Sequence, residues 1–251
     1  MQSPYYARYD QVYEQVYEQV CRQGFRDWWY GPERAAVAEL RAGVMSRIHE
    51  ARAVPRGATV VEFGCGEARW AADLAQLGMR YLGLDLSPHV IARAREQTVW
   101  DGPDIEFRVA DLLDLDEELA SRKFDLVLDQ ACLHMFVVDE DRRRYLRNVR
   151  QVMAGGGAFI LLLQSLDEAA YDGEIQSIEE FQDITGQDLA ARREFDAWDG
   201  ESYQRVLLPR FAVRSKTRKG YLAELEQAGF QVSRAYLDAT SKGNIDIILT
   251  A

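Results

Sequence analysis

Two glycines separated by one residue follow an apolar run in the stretch Val60–Trp70, VVEFGCGEARW. Glycines allow a backbone to approach a ligand closely, and a helix that starts after them points unpaired N–H groups into the same space. Gly64 and Gly66 are therefore predicted to form a ligand-binding turn. On these residues alone the ligand can be a dinucleotide, a phosphate or another nucleoside.

Two carboxylates follow at the predicted ends of later strands. Asp85 lies 19 residues beyond Gly66, the distance at which a second strand brings a carboxylate beside a nucleoside bound on the first turn. An ionised carboxylate can accept hydrogen bonds from both hydroxyls of a ribose. Asp111, followed by Leu112, is placed to accept from the exocyclic amine of adenine, with apolar neighbours for the ring.

Two further residues bear on which nucleoside this is. A dinucleotide fingerprint requires a third glycine where this chain has Arg69. Glu62 lies two residues before Gly64, and its negative charge suits an ammonium or sulfonium group and disfavours a pyrophosphate. The pattern therefore favours a cationic adenosine compound.

The elements that must position these residues alternate along the chain. Short apolar runs predict strands at 58–63, 80–85, 105–109, 124–129 and 158–164, and amphipathic segments predict helices at 67–78, 87–98, 115–121 and 139–153. Ser87 and Asp139 are predicted helix caps. Strands that are apolar on both faces indicate a parallel sheet covered by helices, whose ligand crevice lies at the carboxyl ends of the strands.

The end of the chain departs from this alternation. After a predicted helix at 217–228, residues 230–236 and 245–249 form two strand-like runs with no room for a helix between them, which predicts an antiparallel hairpin. The fold class is thus α/β, with a seven-stranded, mostly parallel sheet and an antiparallel last strand. We expect one domain over residues 1–251, in which the core comprises 57–164 and 217–251, with an N-terminal helical cap (1–56) and a lid insertion (165–216).

Composition narrows the functional classes. The net charge of −11 repels polyphosphate backbones and argues against nucleic acid as the partner. No apolar run approaches the roughly 20 residues that span a bilayer, and the N-terminal residues do not resemble a secretion signal, so a cytoplasmic location is expected. Three widely spaced cysteines, Cys21, Cys65 and Cys132, indicate neither a disulfide framework nor a metal site.

Taken together and in order, these motifs resemble those of class I S-adenosylmethionine-dependent methyltransferases. The resemblance covers about residues 57–164 and 217–251. The matching stretches are EFGCG at Glu62–Gly66, GLDLS at Gly83–Ser87, ADL at Ala110–Leu112, FDLVLD at Phe124–Asp129 and VMAGGG at Val152–Gly157. One departure is Ala154, where the family usually has proline before the glycines.

The resemblance implies a Rossmann-like fold and S-adenosyl-L-methionine as cofactor. It implies that Gly64 and Gly66 face the methionyl part, Asp85 the ribose, Asp111 with Leu112 the adenine, and Asp129 with Gln130 the methionine end. The cofactor-binding residues that it predicts are Glu62, Gly64, Cys65, Gly66, Asp85, Leu86, Asp111, Leu112, Asp129 and Gln130. Cys65 is interpreted as a small filler rather than a nucleophile.

The methyl acceptor is expected beyond the fourth and fifth strands. His134 is the predicted catalytic residue, since its pKa near neutrality would let it take a proton, although it could also simply pack under the next helix. Trp28, Trp29, His134 and Gln164 are the predicted substrate contacts. A general base is optional, because alignment and desolvation can supply most of the acceleration of an in-line displacement.

The leading hypothesis is therefore a methyltransferase acting on nitrogen or oxygen of a small molecule. A nicotinamide-dependent oxidoreductase is the first alternative, weakened by Arg69 and Glu62. A methyltransferase for a macromolecule and a non-catalytic module that retains the cofactor site are the others. The sequence does not indicate the acceptor or the oligomeric state.

Overall fold

The computed structural model describes residue 18 and residues 34–51, 57–189, 191–198, 201–209, 211–237 and 243–250. Trp28, Trp29 and most of the predicted N-terminal helical cap (1–56) lie outside these ranges. No helix in the described part of the chain is both long and apolar enough to cross a membrane.

The described elements alternate as the apolar runs predict. The helices are α1 (Arg34–Glu50), α2 (Ala71–Gln76), α3 (Pro88–Gln97), α4 (Glu117–Ser121), α5 (Asp139–Val152), α6 (Ile178–Thr185) and α7 (Arg218–Gln227). The strands are β1 (Thr59–Phe63), β2 (Arg80–Asp85), β3 (Ile105–Val109), β4 (Phe124–Gln130), β5 (Met153–Ser165), β6 (Arg192–Trp198), β7 (Tyr203–Pro209), β8 (Gln231–Leu237) and β9 (Asn244–Thr250). A 3-10 turn, Leu133–Met135, connects β4 to α5.

Seven strands form one sheet in the order β3-β2-β1-β4-β5-β9-β8. Neighbouring strands from β1 to β5 are parallel, whereas β9 is antiparallel to both β5 and β8. This confirms the predicted seven-stranded sheet with an antiparallel last strand. The strand order reverses between β1 and β4, which is where open sheets of this kind bind ligands.

Both faces of the sheet are buried under helices, as the continuous apolar strands indicate. In β1, Val61 and Phe63 pack on the face covered by α4 to α7, while Val60 packs on the face covered by α1 to α3. All three side chains are fully buried. Because successive side chains of a strand point to opposite faces, Glu62 lies on the same face as Val60.

Helix α2 is shorter than the predicted helix at 67–78. Gly66 and Ala68 have φ values of 54° and 52°, in the left-handed region, so the right-handed helix cannot start before them. Residues 64–70 consequently form an extended turn, and the helix begins at Ala71.

The prediction that Asp139 caps α5 was wrong. Val138 occupies the cap position, without a side-chain cap, and Asp139 is the first helical residue. Its carboxylate instead accepts hydrogen bonds from the Ile175 N–H at 2.6 Å and from Arg214 Nη1 at 2.8 Å. Asp139 therefore ties the insertion to the core.

The insertion has structure of its own. It contains α6 and the hairpin of β6 and β7, which form a separate two-stranded sheet. Arg214 is 1% exposed and also donates to the carbonyls of Val137 and Gly173. These contacts join both ends of the insertion to the start of α5, while its role as a lid stays a prediction.

A bulge in β5 connects the sheet to helix α1. The register of β5 against β9 shifts between Leu161 and Gln164, and Leu163 has a φ of 54°. The Leu163 N–H donates to Asp246 Oδ1 at 2.9 Å, and Asp246 Oδ2 lies 3.4 Å from Arg47 Nε. Asp246 therefore satisfies the bulged backbone and holds α1 against it.

We expect Asp246→Ala to lower the free energy of unfolding by about 1–3 kcal/mol, because the Leu163 N–H loses its acceptor in a poorly solvated place. Chemical denaturation followed by circular dichroism measures the change. Asp196→Ala, on the exposed face of the β6–β7 hairpin, is the matched control and should change the stability by less than about 0.5 kcal/mol. Equal effects of the two substitutions would contradict this account of the bulge.

Candidate active site

The predicted cofactor residues lie along one edge of the sheet. Phe63 pairs with Leu84 and Asp85 pairs with Val109, so β1, β2 and β3 end side by side. The Ala110 N–H donates to the Asp85 carbonyl at 2.9 Å, which continues this alignment to Asp111. The first turn, Asp85 and Asp111 are therefore neighbours along the carboxyl edge.

The first turn is built around its two glycines. The N–H groups of Gly64 and Cys65 both donate to the Leu84 carbonyl, at 2.8 and 2.9 Å. Gly64 has a φ of 72°, and a Cβ there would lie 2.5 Å from Cys132 Sγ, so the position requires glycine. A Cβ at Gly66 would meet no atom of the described residues within 4 Å, so these residues leave the space beside Gly66 open to a ligand.

Asp85 organises this turn. Its Oδ2 accepts from the Gly66 N–H and its Oδ1 from the Ser87 N–H, each at 3.0 Å. Ser87 in turn caps α3 by accepting from the Val90 N–H at 3.2 Å, which confirms the predicted cap. A carboxylate oriented by two backbone N–H groups in this way can also accept hydrogen bonds from ligand hydroxyls.

Glu62 lies beneath the turn and is 3% exposed. Burial raises the pKa of Glu62 to about 8; a hydrogen bond from the Tyr81 hydroxyl to Oε2 lowers it, and the charges of Asp129 and Asp85 raise it further. In the free protein near neutral pH this carboxyl is therefore largely protonated, in contrast to the fixed negative charge expected from the sequence. A cation beside it would favour the ionised form.

Asp111 and Leu112 form a tight turn after β3. Asp111 Oδ1 accepts from the Leu113 N–H at 2.9 Å, and Leu112 is 6% exposed. Asn148 of α5 donates its amide to the Leu112 carbonyl at 2.8 Å. Helix α5 therefore fixes the turn that carries the predicted adenine contacts.

Asp129 is fully buried at the end of β4 and makes four hydrogen bonds. It accepts from the N–H groups of Cys132 and Leu133, from the Tyr145 hydroxyl and from the Gln164 amide, at 2.7–3.0 Å. Burial raises its pKa to about 6, although these hydrogen bonds lower it. Asp129 thus shapes the turn after β4, while the neighbouring Gln130 is half-buried and accepts from the Trp70 indole.

His134 is 5% exposed, and its ring is oriented by the backbone. The Ser165 N–H donates to its Nδ1 at 3.0 Å, so the neutral ring carries its proton on Nε2. Burial, together with the charge of Arg142, lowers the pKa of His134 to about 3. This geometry argues against the general-base role predicted from the sequence and leaves the ring as a hydrogen-bond donor.

Gln164 was predicted to contact the substrate, but it is fully buried. Its amide nitrogen donates to Asp129 Oδ1 and to the Leu162 carbonyl, each at 3.0 Å. Its Oε1 accepts from the backbone N–H of His134 at 3.1 Å. In this arrangement Gln164 supports the turn from inside the fold.

Cys65 and Leu86 differ in their surroundings. Cys65 is buried behind the turn, and its Sγ lies 2.9 Å from the place that a Cβ on Gly83 would occupy. Burial raises the pKa of the Cys65 thiol well above its usual range, which fits the small filler expected from the sequence. Leu86 is half-buried beside Asp85.

Three aromatic residues that hold the acidic and amide groups were not identified from the sequence. Tyr81 donates to Glu62, Tyr145 to Asp129, and the Trp70 indole to Gln130. The strand alternation carries a signal for Tyr81, because Glu62 pairs with Gly83 and Tyr81 shares the face of Gly83. Tyr145 lies in helix α5 and Trp70 in the turn before α2. Their contacts depend on how these elements pack on the sheet, which no strand pairing predicts.

Known proteins resemble the chain in sequence and in structure. Residues 60–157 match the family model described as a methyltransferase domain. The ubiquinone biosynthesis O-methyltransferase of Xanthomonas axonopodis pv. citri (strain 306) is 29% identical over 148 residues, which are 57% of this chain and 59% of that relative. The chain thus aligns with less than two thirds of the relative's length.

Two solved structures share the fold over nearly the whole chain. The CcbJ methyltransferase of Streptomyces caelestis has a TM-score of 0.63 and 17% identity, with 97% of each chain covered. The 1,6-didemethyltoxoflavin-N1-methyltransferase of Burkholderia thailandensis, with 1,6-didemethyltoxoflavin and S-adenosylhomocysteine bound, has a TM-score of 0.58 and 16% identity, with 99% of this chain and 90% of that chain covered. Residues 60–157 therefore match a methyltransferase domain, and the chain shares the fold of S-adenosylmethionine-dependent methyltransferases, in agreement with the resemblance found in the sequence.

Proposed function

We propose that this chain transfers a methyl group from S-adenosyl-L-methionine to a nitrogen or oxygen atom of a small molecule. The observation that carries the proposal is the Asp85 carboxylate, which bridges the N–H groups of Gly66 and Ser87 beside the open face of the first turn. This is the place at which a nucleoside ribose meets an acidic residue in sheets of this order.

Successive residues along the carboxyl edge of the sheet fit successive parts of the cofactor. Asp85 would accept from the ribose hydroxyls, and Asp111 with Leu112 would receive the adenine. Gly64 and Gly66 allow the methionyl part to approach the backbone, with Glu62 below as a carboxyl that ionises in response to positive charge. Gln130 and the turn held by Asp129 would border the methionine end.

When bound, the cofactor would supply a methyl group on a sulfonium: a lone pair of the acceptor would bond to the methyl carbon as the carbon–sulfur bond breaks, the electron pair of that bond would stay on sulfur, and the acceptor would lose its proton to solvent once the product leaves the site. The chain contributes alignment of the acceptor and exclusion of water. The buried His134, Gln164 and Asp129 form a rigid wall after β4 and β5, and we infer no general base among them.

Several features favour a small acceptor. The net charge of −11 opposes binding of polyphosphate chains, so we propose no nucleic-acid partner. The curated relative is named as an O-methyltransferase and the Burkholderia thailandensis enzyme as an N1-methyltransferase, and each name refers to a small molecule. We propose that the insertion at 165–216 and the N-terminal residues 1–56, including Trp28 and Trp29, enclose the acceptor.

The structure gives a further reason against a nicotinamide dinucleotide. Helix α2 begins five residues after Gly66, with Trp70 at its cap position and no side-chain cap. A pyrophosphate requires a helix N-terminus directly behind the glycine turn, and here Ala68 in the left-handed region separates the two.

Isothermal titration tests the cofactor site. We expect S-adenosylmethionine and S-adenosylhomocysteine to bind and NAD to give no heat. Asp85→Ala should weaken binding of both adenosyl compounds by about 1.5–3 kcal/mol, or about 10- to 150-fold, through the loss of charge-assisted hydrogen bonds. Asp114→Ala, on the exposed surface of the turn after β3, is the control and should retain full affinity.

Heat from NAD, with none from the adenosyl compounds, would instead support the oxidoreductase. If Asp85→Ala bound as tightly as the unmodified chain, the ribose would be held elsewhere. Methylation of bulk RNA or peptide in preference to a panel of small amines and phenols would redirect the proposal to a macromolecular substrate.

The second test concerns the protonation of Glu62. Its pKa near 8 in the folded protein lies above the ordinary value of 4.5, so between these values only the folded state retains the proton. The contribution of Glu62 to stability therefore falls as pH rises through this range, by up to about 1.4 kcal/mol per pH unit. Glu62→Gln, which cannot titrate, should become progressively more stable than the unmodified chain from pH 5 to pH 8.

Denaturation at four pH values measures this difference, with Glu118→Gln on the exposed surface as the control. Titrations of S-adenosylmethionine in buffers of different ionisation enthalpy provide a second readout. Proton release on binding at pH 7 should be smaller in Glu62→Gln. Parallel stability profiles for the variant and the unmodified chain would show that Glu62 does not hold a proton.

A further inference from the structure

Asp141 has a buried carboxylate oxygen that receives no hydrogen bond from the described residues. It lies in the first turn of α5 and is 6% exposed, and its Oδ2 is shielded from solvent with no hydrogen-bond partner in the described part of the chain. Buried carboxylates are costly unless they are hydrogen-bonded, and exceptions in native proteins commonly have a functional reason. Asp141 therefore has room for a hydrogen-bond donor that the described residues do not supply.

The helix geometry indicates where such a partner would lie. Asn148, two turns further along α5, donates to the Leu112 carbonyl at 2.8 Å. Residues seven apart share a helix face, so Asp141 faces the same turn from about 10 Å nearer the start of the helix. The start of α5 is at the carboxyl edge of the sheet, where Asp111 and Leu112 lie.

The charges around Asp141 agree with this placement. Burial raises the pKa of Asp141, Arg144 partly offsets the rise, and the nearby charges of Glu140 and Asp111 add to it. Asp111 is the contributor from outside α5, so the two carboxylates lie close enough to repel each other. A donor placed between them would relieve both the repulsion and the missing hydrogen bond.

We propose that Asp141 and Asp111 together bind the 6-amino group of the cofactor adenine, each carboxylate accepting one of its two N–H groups. This inference rests on the proposed function and adds a residue that neither the sequence motifs nor the family resemblance assigns. The amine is favoured over a small cation because apolar Leu112 adjoins Asp111, which suits a flat ring ending in a polar edge. A 6-oxo purine would direct a lone pair at both carboxylates and be rejected.

The test compares S-adenosylhomocysteine with S-inosylhomocysteine, which carries oxygen in place of the amine, by isothermal titration. The unmodified chain should prefer the adenosyl compound by at least about 10-fold. Asp141→Ala should weaken adenosyl binding about 5- to 20-fold and change inosyl binding little. Asp141→Asn, whose amide can donate to the 6-oxo group, should narrow the preference most. Glu140→Gln, exposed on the same turn of α5, is the matched control and should retain the preference.

Thermal unfolding distinguishes this role from a structural one. Removing an unpaired buried carboxylate should leave the melting temperature of the free protein unchanged or raise it. A lower melting temperature with an unaltered adenosyl-to-inosyl ratio would overturn the proposal and assign Asp141 a partner within the chain. An unaltered ratio in variants that still bind S-adenosylhomocysteine would overturn it while leaving the proposed function intact. If the unmodified chain bound neither compound, the proposed function would fail as well.

Discussion

The active-site edge depends on one carboxylate, that of Asp85, which accepts the backbone N–H groups of Gly66 and Ser87. These two donors belong to different loops, the turn after β1 and the start of α3. Joining them fixes the distance between the glycine turn and the second strand before any ligand is present. A ligand that uses Asp85 therefore does not have to order either loop, and this reduces the entropic cost of binding.

Several acidic side chains along this edge are buried from solvent. Glu62 and Asp129 both have pKa values raised by burial, and Asp141 Oδ2 receives no hydrogen bond from the part of the chain that the structure describes. Such groups reduce the stability of the free fold, and their retention is consistent with a ligand that carries positive charge and N–H donors. Discrimination against phosphates would then come from the same residues that attract an adenosyl sulfonium.

Much of this arrangement follows from local sequence patterns. Five apolar runs predict the parallel strands, and the rule that ligands bind at the carboxyl edge brings Gly64, Asp85 and Asp111 together. What the patterns could not provide depends on contacts between distant residues. The left-handed Leu163 is stabilised by Asp246, 83 residues away, and the tautomer of His134 is set by Ser165, 31 residues away. The role of Asp139 likewise depends on Arg214 in the insertion.

The contrast between the two halves of the edge bears on how the reaction would be accelerated. On the cofactor side, Gly66 faces space that no described residue fills, whereas on the acceptor side Asp129 and Gln164 are hydrogen-bonded to each other and His134 Nδ1 accepts from the Ser165 N–H. A surface whose acceptor atoms already receive hydrogen bonds can align the methyl acceptor and exclude water, but it does not provide a general base. Methyl transfer from a sulfonium to a neutral acceptor needs little more, because the positive charge is dispersed over sulfur, carbon and the acceptor atom in the transition state, and a site with little water favours a dispersed charge over a localised one. The acceptor would then be selected by the fit of the insertion and the N-terminal residues, which can vary while the Asp85 contact stays the same.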